Sequence, residues 1–162
     1  VLPEGVVLHD ADVHVDGEQG RSKVDYLDRA AQVGFWKKHD RILVPADRDA
    51  TLIEDTDGRT YHHLAAFDGE RVVGFGRLHL EAGESKVFQV CVDRDYQRQG
   101  IATALMRELI ALAHRAGRTF VVLDARDTAV PFYEGLGFVV ASDEFLSGRT
   151  NTPHRSMRLD LR

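Results

Sequence analysis

The chain has 162 residues, a net charge of −5 at neutral pH and a single cysteine, Cys91. That length suits one domain over residues 1–162, and the acidic balance argues against nucleic acid as a main partner. The lone cysteine excludes an internal disulfide and a multi-cysteine zinc site, and the absence of a long apolar run predicts no membrane contact and a cytoplasmic setting.

The first sixty residues carry the weakest pattern. Residues 6–8 predict a first strand, and the acidic, turn-rich stretch 10–20 predicts a hairpin or a loose arm. A Ser-x-x-Asp start predicts a helix over about 22–38. Residues 39–60 predict a polar connection with one apolar patch, 42–44. Nothing in this part of the chain indicates a function by itself.

Histidines and carboxylates are frequent in the N-terminal half, but their spacing does not predict a metal site. His9 and His14 match no standard zinc pattern. His62 and His63 are adjacent in a predicted strand, so their side chains point to opposite faces and cannot easily share one ion. We therefore predict no metal.

Three neighbouring strands are predicted after residue 60, at 61–67, 71–81 and 86–92. Asp68-Gly69 between the first two is a strong hairpin pattern, and a second turn leads into the third, so we expect an antiparallel meander. The middle strand contains Gly74 and Gly76, whose alternation indicates a close approach to another element or a bend.

The rest of the chain alternates helices and strands. A helix at 99–116 closes at Gly117 and leads by a crossover to a strand at 119–124, which we expect to run parallel to strand 86–92. The later elements are a helix at 129–135, a strand from Phe138, a polar loop at 142–153 and a final strand at 155–161.

The junction between strand 86–92 and its helix carries the clearest functional pattern. Gly100 and Ala102 keep the helix start free of bulk, so its backbone N–H groups and the positive end of the helix dipole can face a phosphate. A P-loop would need GxxxxGK followed by Ser or Thr, and a dinucleotide loop would need three glycines. Gly100 has neither context.

Two motifs, in this order, resemble those of the GNAT superfamily of N-acetyltransferases. Gln97-x-x-Gly100-x-Ala102 after an apolar strand resembles the family's acyl-CoA motif, Q/R-x-x-G-x-G/A. A second set falls on the family's later pattern, A-x-x-F-Y-x-x-x-G-F, at Ala129, Phe132, Tyr133, Gly137 and Phe138. The segment around Pro153-His154 and Met157 is also similar to the P-H-x-x-M tail of the ElaA/YjcF-like branch.

The resemblance implies the GNAT acyl-CoA N-acyltransferase fold, an α+β (α/β) architecture. Its sheet is mixed and mostly antiparallel, with a parallel central strand pair that splays apart, and helices flank it. Here the splayed pair would be strands 86–92 and 119–124, and the helix over 22–38 would help to wall the acceptor site.

The resemblance also implies acetyl-CoA as co-substrate. The pantetheine arm would enter the splayed strands as an extra strand would, contacting Val90, Cys91 and Val92 mostly through main chain. The loop amides would hold the pyrophosphate. The remaining implied cofactor contacts are Gln97, Arg98, Gln99, Gly100, Ile101, Ala102, Thr103, Ala129, Phe132 and Tyr133.

By the same resemblance, Tyr133 occupies the position whose phenol supplies a proton to the leaving thiolate. A base must also deprotonate the acceptor amine, because most amines are cationic at neutral pH. The family's base often lies on the strands that lead into the cleft. Glu81 is the first candidate here, His79 the second and His154 the third.

The sequence therefore predicts an acetyl-CoA-dependent N-acetyltransferase that moves an acetyl group to a primary amine by direct attack. The acceptor would be a small molecule, a peptide or a protein terminus, and its identity is not encoded in a readable motif. The alternative is a non-catalytic acyl-CoA-binding or regulatory domain of the same fold. Many members of the family dimerise, so a homodimer is a further expectation, although no partner surface is evident.

Overall fold

The computed structural model describes residues 2–15, 41–45, 62–69, 71–80, 83–148 and 151–161. Its elements in these ranges are strands β1 (Val6–Val15), β2 (Arg41–Pro45), β3 (His62–Asp68), β4 (Arg71–His79), β5 (Lys86–Val92), β6 (Phe120–Arg126), β7 (Val139–Val140), β8 (Phe145–Leu146) and β9 (Pro153–Asp160), with helices α1 (Ile101–Arg115) and α2 (Val130–Gly135). Two 3₁₀ turns, Arg94–Tyr96 and Asp127–Ala129, precede the two helices.

The strands form one mixed sheet in the order β2-β1-β3-β4-β5-β6-β9-β7, and β8 also pairs with β9. Strands β3, β4 and β5 form the predicted antiparallel meander. The crossover through α1 makes β6 parallel to β5, also as predicted, and β9 returns antiparallel to β6. The element types from residue 62 onward are therefore close to those expected from the pattern.

Helix α1 packs directly on the sheet across the two glycines of β4. A Cβ on Gly74 would lie 2.9 Å from Ile101 Cγ2, and one on Gly76 would lie 3.0 Å from Leu109 Cδ1. The first distance is shorter than real Cβ contacts and the second is unusually tight, so the close approach predicted from the alternating glycines is confirmed. No helix within the described ranges is both long and apolar enough to cross a membrane.

Three expectations for the loops are wrong. Residues 10–15, expected in a hairpin or loose arm, continue β1, because their backbone pairs with both β2 and β3. The apolar patch 42–44 is not part of a polar connection but lies in β2. The predicted loop 142–153 contains β8, which pairs with β9. In each case a long-range backbone ladder outweighs local composition.

Candidate active site

Strands β5 and β6 are paired at one end only. Their parallel register contains Lys86 opposite Val122, and the Val122 N–H donates to the Ser85 carbonyl at 2.9 Å. Within the described residues no further backbone pair joins the two strands toward their C-terminal ends. The strands therefore splay apart, as expected, and we call the gap between residues 90–92 and the C-terminal half of β6 the β5–β6 opening.

A bulge bends β5 where it parts from β6. Phe75 of β4 stands opposite Cys91, but the register shifts before the next pair, so Gln89 and Val90 both face Gly76. An extra residue on one strand bends it and increases its twist. A Cβ on Gly76 would lie 3.2 Å from the Val90 side chain, so the glycine leaves room for the bulge as well as for α1.

Beyond β5 the chain reaches α1 through a tight turn with two left-handed residues. Arg98 has a φ of 62° and Gly100 a φ of 89°. This conformation costs a residue other than glycine about 1–2 kcal/mol, so the turn must be held by its surroundings. One restraint is the Gln97 side-chain amide, which donates to the Val92 carbonyl at 3.1 Å.

The start of α1 has the electrostatics of an anion site. Among the described residues no side chain caps it, and its first turn contains no acidic residue. Its first N–H groups therefore have no partner within the helix, and the helix dipole adds positive potential. Residues 97–100 are exposed, Ala102 and Thr103 are partly buried, and Ile101 is buried in the core.

Basic side chains lie near both edges of the β5–β6 opening. Arg94 and Arg98 are exposed on the turn after β5, and Arg126 is the last residue of β6. A chain with a net charge of −5 thus carries local positive charge beside its candidate phosphate loop. That arrangement suits a ligand with several phosphates.

Tyr133 of α2 is held by aromatic neighbours beside the C-terminal end of β5. Its ring packs edge-on against Phe132 at 5.0 Å and Phe138 at 5.9 Å between centroids. Burial, with a smaller contribution from the Cys91 thiol, raises the pKa of Tyr133 to about 12. Tyr133 is thus within electrostatic reach of Cys91, which lies in the β5–β6 opening, and its phenol remains protonated at neutral pH.

Two further residues of the second motif lie just before Tyr133 in the chain. Ala129 ends the 3₁₀ turn that follows β6, and Phe132 lies on α2 and packs against the core. Pro131 near the helix start presets the backbone for this short helix. The second motif therefore brings a small residue, an aromatic residue and a phenol to one side of the opening.

The candidate bases are widely separated. His79 pairs with Lys86 at the start of β5, whereas Val92 pairs with Gly74, about 17 Å away along the strand. His79 is buried and lies 3.8 Å from Glu84. The structure therefore does not bring His79 together with Tyr133. Glu81 lies outside the described residues, as do the predicted helix at 22–38 and its acceptor wall.

His154 lies near the open end of the strand pair. It stands opposite Arg126, the last residue of β6. Its Nδ1 lies 2.9 Å from the Thr152 carbonyl, and because a carbonyl can only accept, Nδ1 carries the hydrogen. In the neutral ring Nε2 then carries the lone pair that a base needs.

The histidine spacing indicated no metal, and the structure offers no alternative group within its described ranges: no three His, Cys, Asp or Glu side chains there come together as ligands. His62 is exposed and His63 is buried against Phe75, so the adjacent histidines do lie on opposite faces. The prediction that the protein uses no metal remains a prediction.

One group of residues around the turn was missed from the sequence. Asp68 and Arg71 at the tip of the β3–β4 hairpin contact Asp93 and Tyr96 in the turn before α1. Asp68 was interpreted only as part of a hairpin turn. Such contacts join residues more than twenty positions apart, and no local motif marks them.

Comparisons with known proteins agree with this geometry. A family model for an acetyltransferase (GNAT) domain matches residues 43–161. The chain is 32% identical over 118 residues to the Uncharacterized N-acetyltransferase YjcF of Bacillus subtilis (strain 168), covering 72% of this chain and 80% of that protein.

Two solved structures illustrate the shared fold. Escherichia coli ElaA matches with a TM-score of 0.57 at 20% identity, over 65% of this chain and 73% of that one. A GNAT family acetyltransferase from Elizabethkingia anophelis with acetyl-CoA bound matches with a TM-score of 0.64 at 14% identity, over 98% of this chain and all of that one. With the family model matching well over half of its length, the chain belongs to the GNAT acetyltransferase family and is an acyltransferase.

Proposed function

We propose that this protein is an acetyl-CoA-dependent N-acetyltransferase, which moves the acetyl group of acetyl-CoA to a primary amine by direct attack. The observation that carries the proposal is the β5–β6 opening. It has a bulged strand on one side, a partly buried phenol beside it and an uncapped helix start at its end. These features match the three parts of the donor, which are an extended arm, a thioester and a pyrophosphate.

The donor binds mainly through backbone groups. Amides of residues 97–103 hold the pyrophosphate at the start of α1, and Arg94 and Arg98 add charge from the turn. The pantetheine arm lies along residues 90–92 in place of a neighbouring strand. Ala129 and Phe132 line the side of the β5–β6 opening that faces α2. Because amides do the binding, changes of backbone conformation weaken it more than loss of a single side chain.

The reaction needs a neutral amine. For a primary amine with a pKa near 10.4, on the order of one molecule in 10³ is unprotonated at neutral pH. A base must therefore remove a proton from the ammonium before the attack. The amine nitrogen then attacks the thioester carbon, and a backbone N–H near Val92 stabilises the oxyanion. After the base has released the first proton to solvent, collapse forms the amide and breaks the carbon–sulfur bond, the base takes the second amine proton, and CoA leaves as a thiolate that is then protonated.

Tyr133 assists the departing sulfur. With a pKa of about 12 the phenol stays protonated and is a donor, never a base, at neutral pH. A thiol has a pKa near 8.5, roughly 3.5 pKa units below that of this phenol, so full proton transfer from the phenol to the thiolate is unfavourable. The main contribution of Tyr133 is therefore a hydrogen bond to the sulfur as its negative charge develops, and the thiolate then takes its proton from the protonated base or from solvent.

The base is best assigned to the open end of the strand pair. His154 is the candidate that the described residues favour, because its Nδ1–H is held by Thr152 and its Nε2 is left as acceptor. Glu81 remains a prediction from the sequence. His79 is disfavoured because it lies at the start of β5.

Acetyl-CoA binding tests the proposal. We expect calorimetry to give micromolar binding to the native protein and none to Gly100→Glu, which places bulk and negative charge at the phosphate loop. Gly117→Glu is the matched control, because Gly117 also has a positive φ, of 80°, at the other end of α1 and has no neighbouring atom where a Cβ would be. That variant should bind as the native protein does.

A panel of small amines and peptides separates the proposal from its alternative. Acetyl-CoA-dependent acetylation of any amine supports an enzyme. Binding without turnover across the panel would instead support the non-catalytic acyl-CoA-binding domain. If neither the native protein nor Gly117→Glu binds acetyl-CoA, the assignment of residues 97–103 is wrong.

A further inference from the structure

The turn between β5 and α1 is attached to the tip of the β3–β4 hairpin by side chains that the proposed reaction does not use. The Tyr96 hydroxyl donates to Asp68 Oδ2 at 2.6 Å. Arg71 Nη2 donates to Asp93 Oδ2 at 3.1 Å and lies 4.0 Å from Asp95. We call Asp68, Arg71, Asp93 and Tyr96 the hairpin latch.

The latch is internally connected. The Arg71 guanidinium lies over the Tyr96 ring, 5.2 Å from its centroid, so one cation contacts both the carboxylate and the phenol of the turn. The second Asp93 oxygen accepts from the Asp95 N–H at 3.0 Å, and the Tyr96 N–H donates to the Asp93 carbonyl at 2.8 Å. The hydrogen bond to Asp68 raises the pKa of Tyr96 above its usual value, which keeps the phenol a donor.

The latch fixes the segment that immediately precedes the left-handed residues. Tyr96 is followed within four residues by Arg98 and Gly100, and a left-handed residue other than glycine persists only when its surroundings hold it. Asp93 is also tied to the sheet, because its N–H donates to the Val73 carbonyl at 2.8 Å. The turn that leads to the candidate phosphate loop is thus attached to the β3–β4 hairpin by both side-chain and backbone hydrogen bonds.

We propose that the hairpin latch is a set of positioning residues for the nucleotide half of acetyl-CoA, holding residues 97–100 in the conformation that binds pyrophosphate. This inference rests on the proposed function. If the loop adopts its binding conformation in only a fraction of the molecules, the apparent affinity falls in proportion to that fraction. Breaking the latch should therefore raise the dissociation constant without changing any group that touches the ligand.

Two variants break the latch without removing bulk from the core. Tyr96→Phe deletes only the hydroxyl, and Arg71→Met deletes the charge while keeping a long apolar side chain. Arg115→Met is the matched control, because Arg115 makes an exposed ion pair with Glu108 of similar length, 3.0 Å, at the far end of α1. Arg71→Lys should restore part of the affinity, since it keeps the charge but not the planar fork.

The test combines acetyl-CoA calorimetry, amide hydrogen exchange of ligand-free protein and thermal unfolding. We expect both variants to raise the dissociation constant about tenfold and to speed exchange in residues 97–103, with little change in the melting midpoint. Arg115→Met should change neither. Together these results would support a positioning role.

Three results would overturn the latch. Unchanged affinity in both variants, weaker binding without faster exchange in the loop, or faster exchange throughout the sheet would each mean that the cluster does not position the loop. In all three the native protein still binds acetyl-CoA, so the proposed function survives. If the native protein itself does not bind, the proposed function fails and the latch fails with it.

Discussion

The two ends of β5 differ in what surrounds them. At its start, Lys86 pairs across to Val122 of β6, its side chain forms a 3.1 Å ion pair with Asp124, and His79 is buried beside it. At its end, the strand is bulged and parted from β6, and it continues into an uncapped helix start. One end is closed by backbone and ionic contacts, and the other is open to a ligand.

This difference indicates where chemistry can occur. Backbone that is fully paired to neighbouring strands cannot bind a ligand without breaking the sheet. The open end combines divergent strands, a phenol with a raised pKa and a helix dipole, whereas the ion pairs at the closed end are typical of surface structure. Under the proposed function, catalysis occurs at the open end and the closed end serves as scaffold, and variants can test this at both ends.

Replacing Tyr133 by Phe should have the largest effect on turnover. Loss of a positioned donor typically costs about 10²–10⁴ in rate. We expect kcat to fall by about that factor while the acetyl-CoA dissociation constant stays within about twofold, since the ring and its packing remain. Steady-state kinetics and calorimetry measure the two. Unchanged turnover would remove Tyr133 from the mechanism.

The same phenol predicts the alkaline side of the pH profile. Because the pKa of Tyr133 is about 12, the donor form persists from neutral pH to beyond pH 10. We expect kcat/KM to rise as amine and base lose protons and to show no falling limb below pH 10 that depends on Tyr133. The profile of Tyr133→Phe provides the comparison. A falling limb near pH 9 that disappears in the variant would contradict the raised pKa.

Alanine at either glycine of β4 should lower both stability and acetyl-CoA binding. A methyl group at Gly74 would press on Ile101, the first residue of α1, and one at Gly76 would press on Leu109 in the middle of the helix and on Val90 in the β5 bulge. Overpacking of this kind costs about 1–3 kcal/mol, so both variants should unfold at lower denaturant concentration. Calorimetry should show weaker acetyl-CoA binding in both, because Gly74→Ala displaces the helix start and Gly76→Ala displaces Val90. Native affinity in both variants would mean that neither the helix start nor the bulge is part of the site.

The smallest effect is expected at the closed end. His79→Gln should change kcat/KM by less than about threefold, under about 1 kcal/mol of transition-state free energy. His154→Gln, at the open end, should lower kcat/KM by about 10² if His154 is the base. Turnover of the folded fraction at several pH values measures both. A large loss in His79→Gln together with native turnover in His154→Gln would reverse the comparison.

Much of the fold was predictable because its patterns are local. The hairpin at Asp68-Gly69, the helix after Gly100 and the alternating glycines of β4 each follow from short-range geometry. The extension of β1 through residues 10–15 was missed although Ala11, Val13 and Val15 alternate with polar residues. Its acidic composition suggested a loop, and only the ladders to β2 and β3 stabilise it as a strand.

The site was less predictable than the fold. The motifs predict a phosphate loop and a role for Tyr133, because both depend on residues adjacent in sequence, and both remain predictions. The base could not be identified from the sequence, because the register between β4 and β5 decides which end of β5 a residue such as His79 lies beside. The hairpin latch was missed for the same reason, since Asp68 and Tyr96 meet only through the fold.

Amide hydrogen exchange with and without acetyl-CoA tests the central claim most directly. If the donor lies in the β5–β6 opening, exchange should slow at residues 90–92 and 97–103 and stay unchanged at residues 79–80 and 83–87. Protection at the start of β5 with none in residues 97–103 would contradict the account, because the ligand would then bind at the closed end.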